Sequence, residues 1–199
     1  GKQLLRSLLS LKHMGAIASA GQAFYILCKR LFADLDIGAF NSHKDVLNTC
    51  KIASLLPYKW LNNLLSRVDG KGLDKGQVNT EQFFLRRSTG FATAFSSILR
   101  SQPNSTRADS MTKAMLRLFG AAKADEAPDA NNWRRRVHAL NVLKMVFEDA
   151  WLSTDLQPHA SDAMQLAIDG FRSSSWAVRN SSMMLFSATV RATVGKRRE

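Results

Sequence analysis

Apolar residues return along this chain every three or four positions, the period of one face of an α-helix. The pattern is densest from Trp133 to Gly195, which reads as two turns of a helical solenoid. Arg134 to Trp151 is predicted as one amphipathic helix, with Ala139, Leu140, Leu143, Val146, Phe147 and Ala150 on a single face. Pro158 to Phe171 is predicted as the next, since proline suits a first helical turn, where its missing N–H costs nothing. Gly170 and the run Ser173-Ser174-Ser175 break the pattern. A third helix is predicted from Trp176 to about Val194. It is apolar on nearly every side, and such a helix is expected to be buried between neighbours.

Upstream, the same period predicts helices over Lys2 to His13, Ala16 to Leu35, Lys44 to Leu56, Tyr58 to Val68, Glu81 to about Leu99 and Ala108 to Lys123. Thr80 is placed as an N-cap, and Pro57 as a break. Residues 69–80, with three glycines in their first eight positions, and residues 124–132, with Pro128, read as loops. Ala188, Val190, Ala192 and Val194 alternate, but inside a helical run, so no strand is predicted. About nine helices with short connections predict an all-α fold, best read as an α-solenoid, with a closed helical bundle as the alternative.

Charge changes the picture more than size does. Lys and Arg number 28 against 16 Asp and Glu, a formal net charge of +12 over 199 residues. That balance points to an anionic partner, nucleic acid first, although a piece cut from a longer chain need not be charge-balanced. The chain opens on Gly1 and stops at Glu199 within charged sequence, and it reads as a single repeat segment, residues 1–199, of a larger protein. Cys28 and Cys50 form no CxxC pattern and suit a reducing, cytoplasmic setting. No apolar run approaches the ~20 residues of a membrane span, so no membrane insertion is expected.

Candidate chemistry is sparse. His13, His43, His138 and His159 are scattered and form no HxxxH, HExxH or Cys-His cluster, so no metal site is indicated. The glycine-rich loop lacks the Gly-Lys-Ser/Thr of a P-loop and the ligand spacing of an EF-hand. Neither a nucleophile elbow nor a dinucleotide-binding glycine motif is found, and the alternating βαβ pattern of a methyltransferase is missing. No cofactor is expected, and the chain reads as non-catalytic.

The basic residues are the candidate contacts. Arg86 and Arg87 point about 100° apart on a helix, and Gly90, one turn on, permits close backbone approach. Arg134, Arg135 and Arg136 open a helix against its dipole, which points to phosphate contact or to a solvated basic surface. His138 and Asn141 project with Arg134 away from the Leu140 face, either onto a concave binding surface or into the next repeat. Arg179 shares a face with Trp176, Met183 and Phe186, so it is expected to be buried and paired, while Asn180 satisfies backbone groups at the turn. Lys196, Arg197 and Arg198 face RNA or end the helix.

Two long stretches, RRVHALNVLKMVFEDAWL and AIDGFRSSSWAVRNSSMMLFSA, closely resemble the central domain of the THADA family. Arg86-Arg87-Ser88-Thr89-Gly90-Phe91-Ala92 resembles that family's RRSAGLP motif and departs from it at Thr89, Phe91 and Ala92. The resemblance covers residues 82–198. Residues 163–190 also resemble a HEAT unit, in which an arginine at the place of Arg179 joins a ladder of acids. The resemblance implies a HEAT/armadillo-like repeat segment of a very large protein. It implies an auxiliary subunit that supports an FtsJ-type tRNA methyltransferase in 2′-O-methylation of the anticodon loop, with tRNA and the remainder of a larger solenoid chain as further partners. The alternative is a protein-interaction scaffold without RNA binding, such as a regulator of a membrane calcium pump.

Overall fold

The computed structural model describes residues 2–11, 13–37, 55–68, 89–123 and 132–194. Among them every regular element is helical: α1 (Lys2–Ser10), α2 (Met14–Ile37), α3 (Leu56–Val68), α4 (Thr89–Ser101), α5 (Asn104–Ala122), α6 (Asn132–Phe147), α7 (Ser153–Leu156), a 3₁₀ turn (Gln157–His159), α8 (Ala160–Gly170) and α9 (Trp176–Val194). The all-α expectation is met. The helix predicted from Lys44, the start of the one predicted from Glu81, and the two predicted loops (up to Asn131) lie outside the described residues. Pro57 sits in the first turn of α3, where it withholds a donor no helix would use; the upstream helix it was expected to end lies outside the described residues. The chain divides into two compact units, Gly1–Leu64 with Thr89–Arg107 and Leu65–Ser88 with Ala108–Glu199.

In the first unit α4 is the buried element. Phe91, Ala92, Ala94, Phe95, Ile98 and Leu99 are all enclosed. Such a helix needs partners on more than one side, and α1 and α2 both pack against it. The α2 row that faces inward is Ile17, Gly21, Phe24, Cys28 and Phe32, steps of three and four residues. Gly21 permits the crossing: a Cβ there would run into the Thr93 methyl, and Ser97 Oγ donates to the Gly21 carbonyl at 3.3 Å. Aromatic pairs join α2 to α3, Phe24 with Trp60 and Phe32 with Tyr58, each 5.1 Å between centroids. Burial pushes the Cys28 thiol up to about 12, against a weaker opposing pull from its hydrogen bond with Ser101. It is an inert packing group.

In the second unit α6 and α9 pack together, and α8 and α9 form a helical hairpin across the turn at residues 171–175. The helix expected to reach Trp151 stops at Phe147. Asp149 accepts the Trp151 N–H at 3.0 Å and turns the chain, leaving Trp151 76% exposed. The helix expected from Pro158 begins at Ala160, because Pro158 lies in the 3₁₀ turn before it. Gly170 lies against Ser182, a place that has no room for a Cβ. Edge-on packing of Phe171 against Phe186, 5.9 Å apart, closes the hairpin. Glu148 accepts Lys144 at 2.6 Å and Arg191 at 2.9 Å, tying the end of α6 to α9.

Candidate functional site

Where α5 ends and α6 begins, backbone polarity needs satisfying. The last carbonyls of a helix have no partner within it. Arg136 Nε donates to the Ala122 carbonyl at 3.2 Å, closing one of them. The three arginines that oppose the dipole of their own helix thus include one placed at the favourable C-terminal end of the preceding helix. Arg134 lies over the Trp133 ring, 5.3 Å from its centroid. All three guanidinium-bearing side chains are half-buried, and Arg134 and Arg135 are engaged as well.

Beside this junction opens a cleft of about 560 Å³. Its floor is Phe119 of α5 and Leu166 of α8, both largely buried. Gly120 deepens it, since a Cβ there would meet nothing within 4 Å. One wall carries Lys123 and Arg136; the other carries Asp162, Gln165 and Asp169 from successive turns of α8, and Gln165 donates to Asp169 at 2.9 Å. His159 meets Phe119 edge-on at 6.4 Å. Burial lowers the His159 pKa, and the Asp162 charge partly opposes that. The cleft thus has an apolar floor between walls of opposite charge. Two carboxylates on one wall repel phosphate.

Among the described residues singled out from the sequence, only Arg136 lines this cleft. His138 lies in the core, 2% exposed, which fits the packing alternative for its face and not an open concave surface. Burial lowers its pKa to about 4, which keeps the ring neutral near pH 7. Asn141, one turn on, is half-buried. Gly90 is taken up internally, against the Leu8 backbone. Arg86, Arg87, Lys196, Arg197 and Arg198 lie outside the described residues.

Arg179 corrects its expectation. It is exposed, not buried in a ladder of acids. Its Nη1 donates to the carbonyls of Ser173 and Ser174 at 2.8 and 2.9 Å, holding the turn that leads into α9. Trp176 beside it is 70% exposed, while Phe186 of the same face packs on Phe171. Asn180 is also exposed; its Nδ2 lies 3.9 Å from Met184 Sδ instead of bonding the turn. The cleft residues Lys123, Asp162, Gln165 and Asp169 were not anticipated. The one available signal was the seven-residue step from Asp162 to Asp169, two acids on one face of a helix in a basic chain.

A family model described as THADA/TRM732, DUF2428 matches residues 1–177. The match takes in residues 1–81, beyond the range the sequence motifs carry, and ends at the start of α9. The chain is similar to a mouse protein named tRNA (32-2'-O)-methyltransferase regulator THADA, 34% identical over 156 residues, 77% of this chain and 8% of the relative. It is similar to the Schizosaccharomyces pombe protein named tRNA (32-2'-O)-methyltransferase regulator trm732, 27% identical over 201 residues, 100% of this chain and 12% of the relative. A Drosophila melanogaster protein with the first of these names is 25% identical over 199 residues, 100% of this chain and 10% of the relative. The chain therefore spans about a tenth of the length of these curated relatives. No solved structure matches.

Proposed function

The chain belongs to the THADA/TRM732 family, and from that premise we propose that it is a non-catalytic segment of a regulator of a tRNA 2′-O-methyltransferase. The observation that carries this reading is the shared printed name of relatives as distant as mouse and fission yeast, each a regulator of a tRNA (32-2'-O)-methyltransferase. In this reading the methyl-transfer chemistry belongs to a partner enzyme of the FtsJ type. This protein supplies geometry. Holding the tRNA anticodon loop and the enzyme in one arrangement converts an encounter of separate molecules into a positioned reaction.

Two physical features support a scaffold. The α8–α9 hairpin, with α6 packed on α9, is the kind of unit that stacks into a HEAT/armadillo-like solenoid. The net charge of +12 favours a polyanion such as tRNA. The charge-balanced cleft between α5 and α8 is assigned to protein contact, because Asp162 and Asp169 disfavour phosphate there. Phosphate contacts are assigned to Arg86 and Arg87. No helix among the described residues is long and apolar enough to cross a membrane.

The test is genetic and chemical together. Cells lacking the full-length protein are expected to lose 2′-O-methylation at tRNA nucleotide 32, read by mass spectrometry of purified tRNA, and to regain it when the gene is restored. Unchanged methylation in the deletion strain overturns the proposal.

A further inference from the structure

The turn between α8 and α9 is held from several sides. Arg179 Nη1 donates to the Ser173 and Ser174 carbonyls, the Ser175 N–H donates to Ser173 Oγ at 3.3 Å, and Phe171 packs on Phe186. On this fixed turn stands Trp176, 70% exposed. Arg179 and Asn180, three and four residues on, flank it on the same face of α9, and both are exposed. At about 100° per residue the three cover about 100° of the helix surface, centred opposite the buried Val178 and Leu185.

The polar groups of this face have capacity left. Both Arg179 bonds use Nη1, so Nε and Nη2 still have protons to donate. Asn180 makes one weak contact, from Nδ2 to Met184 Sδ, and keeps its amide oxygen. Arg172, at the start of the turn, is exposed, and its side chain has no hydrogen bond or ion pair among the described residues. From position 171 to position 198 the sequence carries six Lys and Arg and no Asp or Glu. Asp169, the nearest acid before the turn, accepts from Gln165 on the side of the cleft.

We propose that this face binds unpaired RNA nucleotides, with Trp176 stacking on a base, Arg172 and Arg179 at the flanking phosphates and Asn180 at a base edge. This rests on the tRNA reading above and gives it a contact surface. An exposed indole between guanidinium groups matches the chemistry of a single strand: the ring stacks on any base, and the cations follow the backbone. A duplex keeps its bases stacked inside and gives Trp176 nothing to lie on, so the ligand is a loop or an end. A protein partner would have to bring acids to Arg172 and Arg179, whereas RNA carries a negative charge on every nucleotide. Because the turn is already fixed, the ring is presented without the cost of ordering a loop on binding.

Full-length protein and an unmodified tRNA transcript test this, with affinity read by fluorescence anisotropy. Trp176→Leu keeps an apolar side chain and loses the ring face. It is expected to bind tRNA roughly five- to 150-fold more weakly, the range for one base–aromatic stack. Trp176→Phe is expected to keep most of the affinity, and Arg172→Gln to lower the salt slope by roughly 0.7, one phosphate contact on a single strand. Ultraviolet cross-linking of the native protein, mapped by mass spectrometry, is expected to join tRNA to the peptide that carries Trp176, and it needs no variant to fold. Equal affinities of the native and Leu proteins overturn the proposal. So does a Phe variant as weak as the Leu variant, and so does absence of the cross-link. Unchanged tRNA affinity with weakened methyltransferase binding assigns the face to a protein partner and also overturns it. The readout is binding, so normal tRNA affinity of the Leu variant in a protein that still supports methylation refutes this inference alone. Binding through Trp176 with no effect on nucleotide 32 refutes only the regulator reading.

Discussion

Gly90 lies so close to Leu8 that a Cβ at Gly90 would stand 2.7 Å from the Leu8 carbonyl oxygen. The obstacle is backbone, which cannot rotate aside as a side chain can. Gly90→Ala is therefore expected to force α1 away from α4 and destabilise the fold by about 1–3 kcal/mol, the range for overpacking. Gly120→Ala is the control. A Cβ there meets nothing within 4 Å, and alanine favours the helix by about 0.5–1 kcal/mol. Denaturant unfolding of both variants checks the pair, and equal effects would contradict the close approach.

His138 makes stability depend on pH in a defined window. Burial lowers its pKa to about 4 from an ordinary value of 6.5. Above pH 6.5 the ring is neutral in both folded and unfolded chains, and its contribution is fully present. Between about pH 6.5 and 4 only the unfolded chain takes up the proton, so stability is lost as pH falls through that window. The loss is about 3 kcal/mol at full development, on the order of what a shift of this size implies. Unfolding measured at pH 7 and pH 5 is expected to differ more for the native protein than for His138→Asn. Identical pH slopes would show that His138 is not responsible.

Arg179→Ala is expected to cost only about 0.5–1 kcal/mol, the range for exposed hydrogen bonds. A buried ladder would cost about 3–5 kcal/mol, as breaking a buried ion pair does. Thermal melting separates the two outcomes.

Replacing Arg86 and Arg87 together with Ala in the full-length protein is expected to reduce 2′-O-methylation of tRNA while leaving the melting temperature nearly unchanged. If both contact phosphates, the salt dependence of tRNA binding loses roughly one unit of slope per arginine. Normal methylation removes the pair from the contact surface, and a large fall in melting temperature assigns them to packing.

The helical class was legible because a 3.6-residue period needs no tertiary knowledge, and it held for α2, α5, α6 and α9 alike. Gly90 was legible as a point of close approach, but its partner Leu8, 82 residues earlier, was not. Helix ends were less legible. An Asp149 side chain accepting one N–H ended α6 before Trp151. Arg136 looked misplaced on its own helix and became intelligible only beside the end of α5. His138 projected away from the Leu140 face, yet α6 is packed on that side too. For Arg179 the face was read correctly and the burial was not, since burial depends on a neighbour that the pattern of one helix does not specify. The cleft escaped because its walls come from three helices and none carries a recognisable motif.

Purified full-length protein, the partner methyltransferase, S-adenosylmethionine and unmodified tRNA are combined, and methyl transfer to nucleotide 32 is counted. Strong transfer is expected only when both proteins are present, and none from this protein alone. Methyl transfer by this protein alone, or an enzyme equally active without it, would rule out the regulatory role.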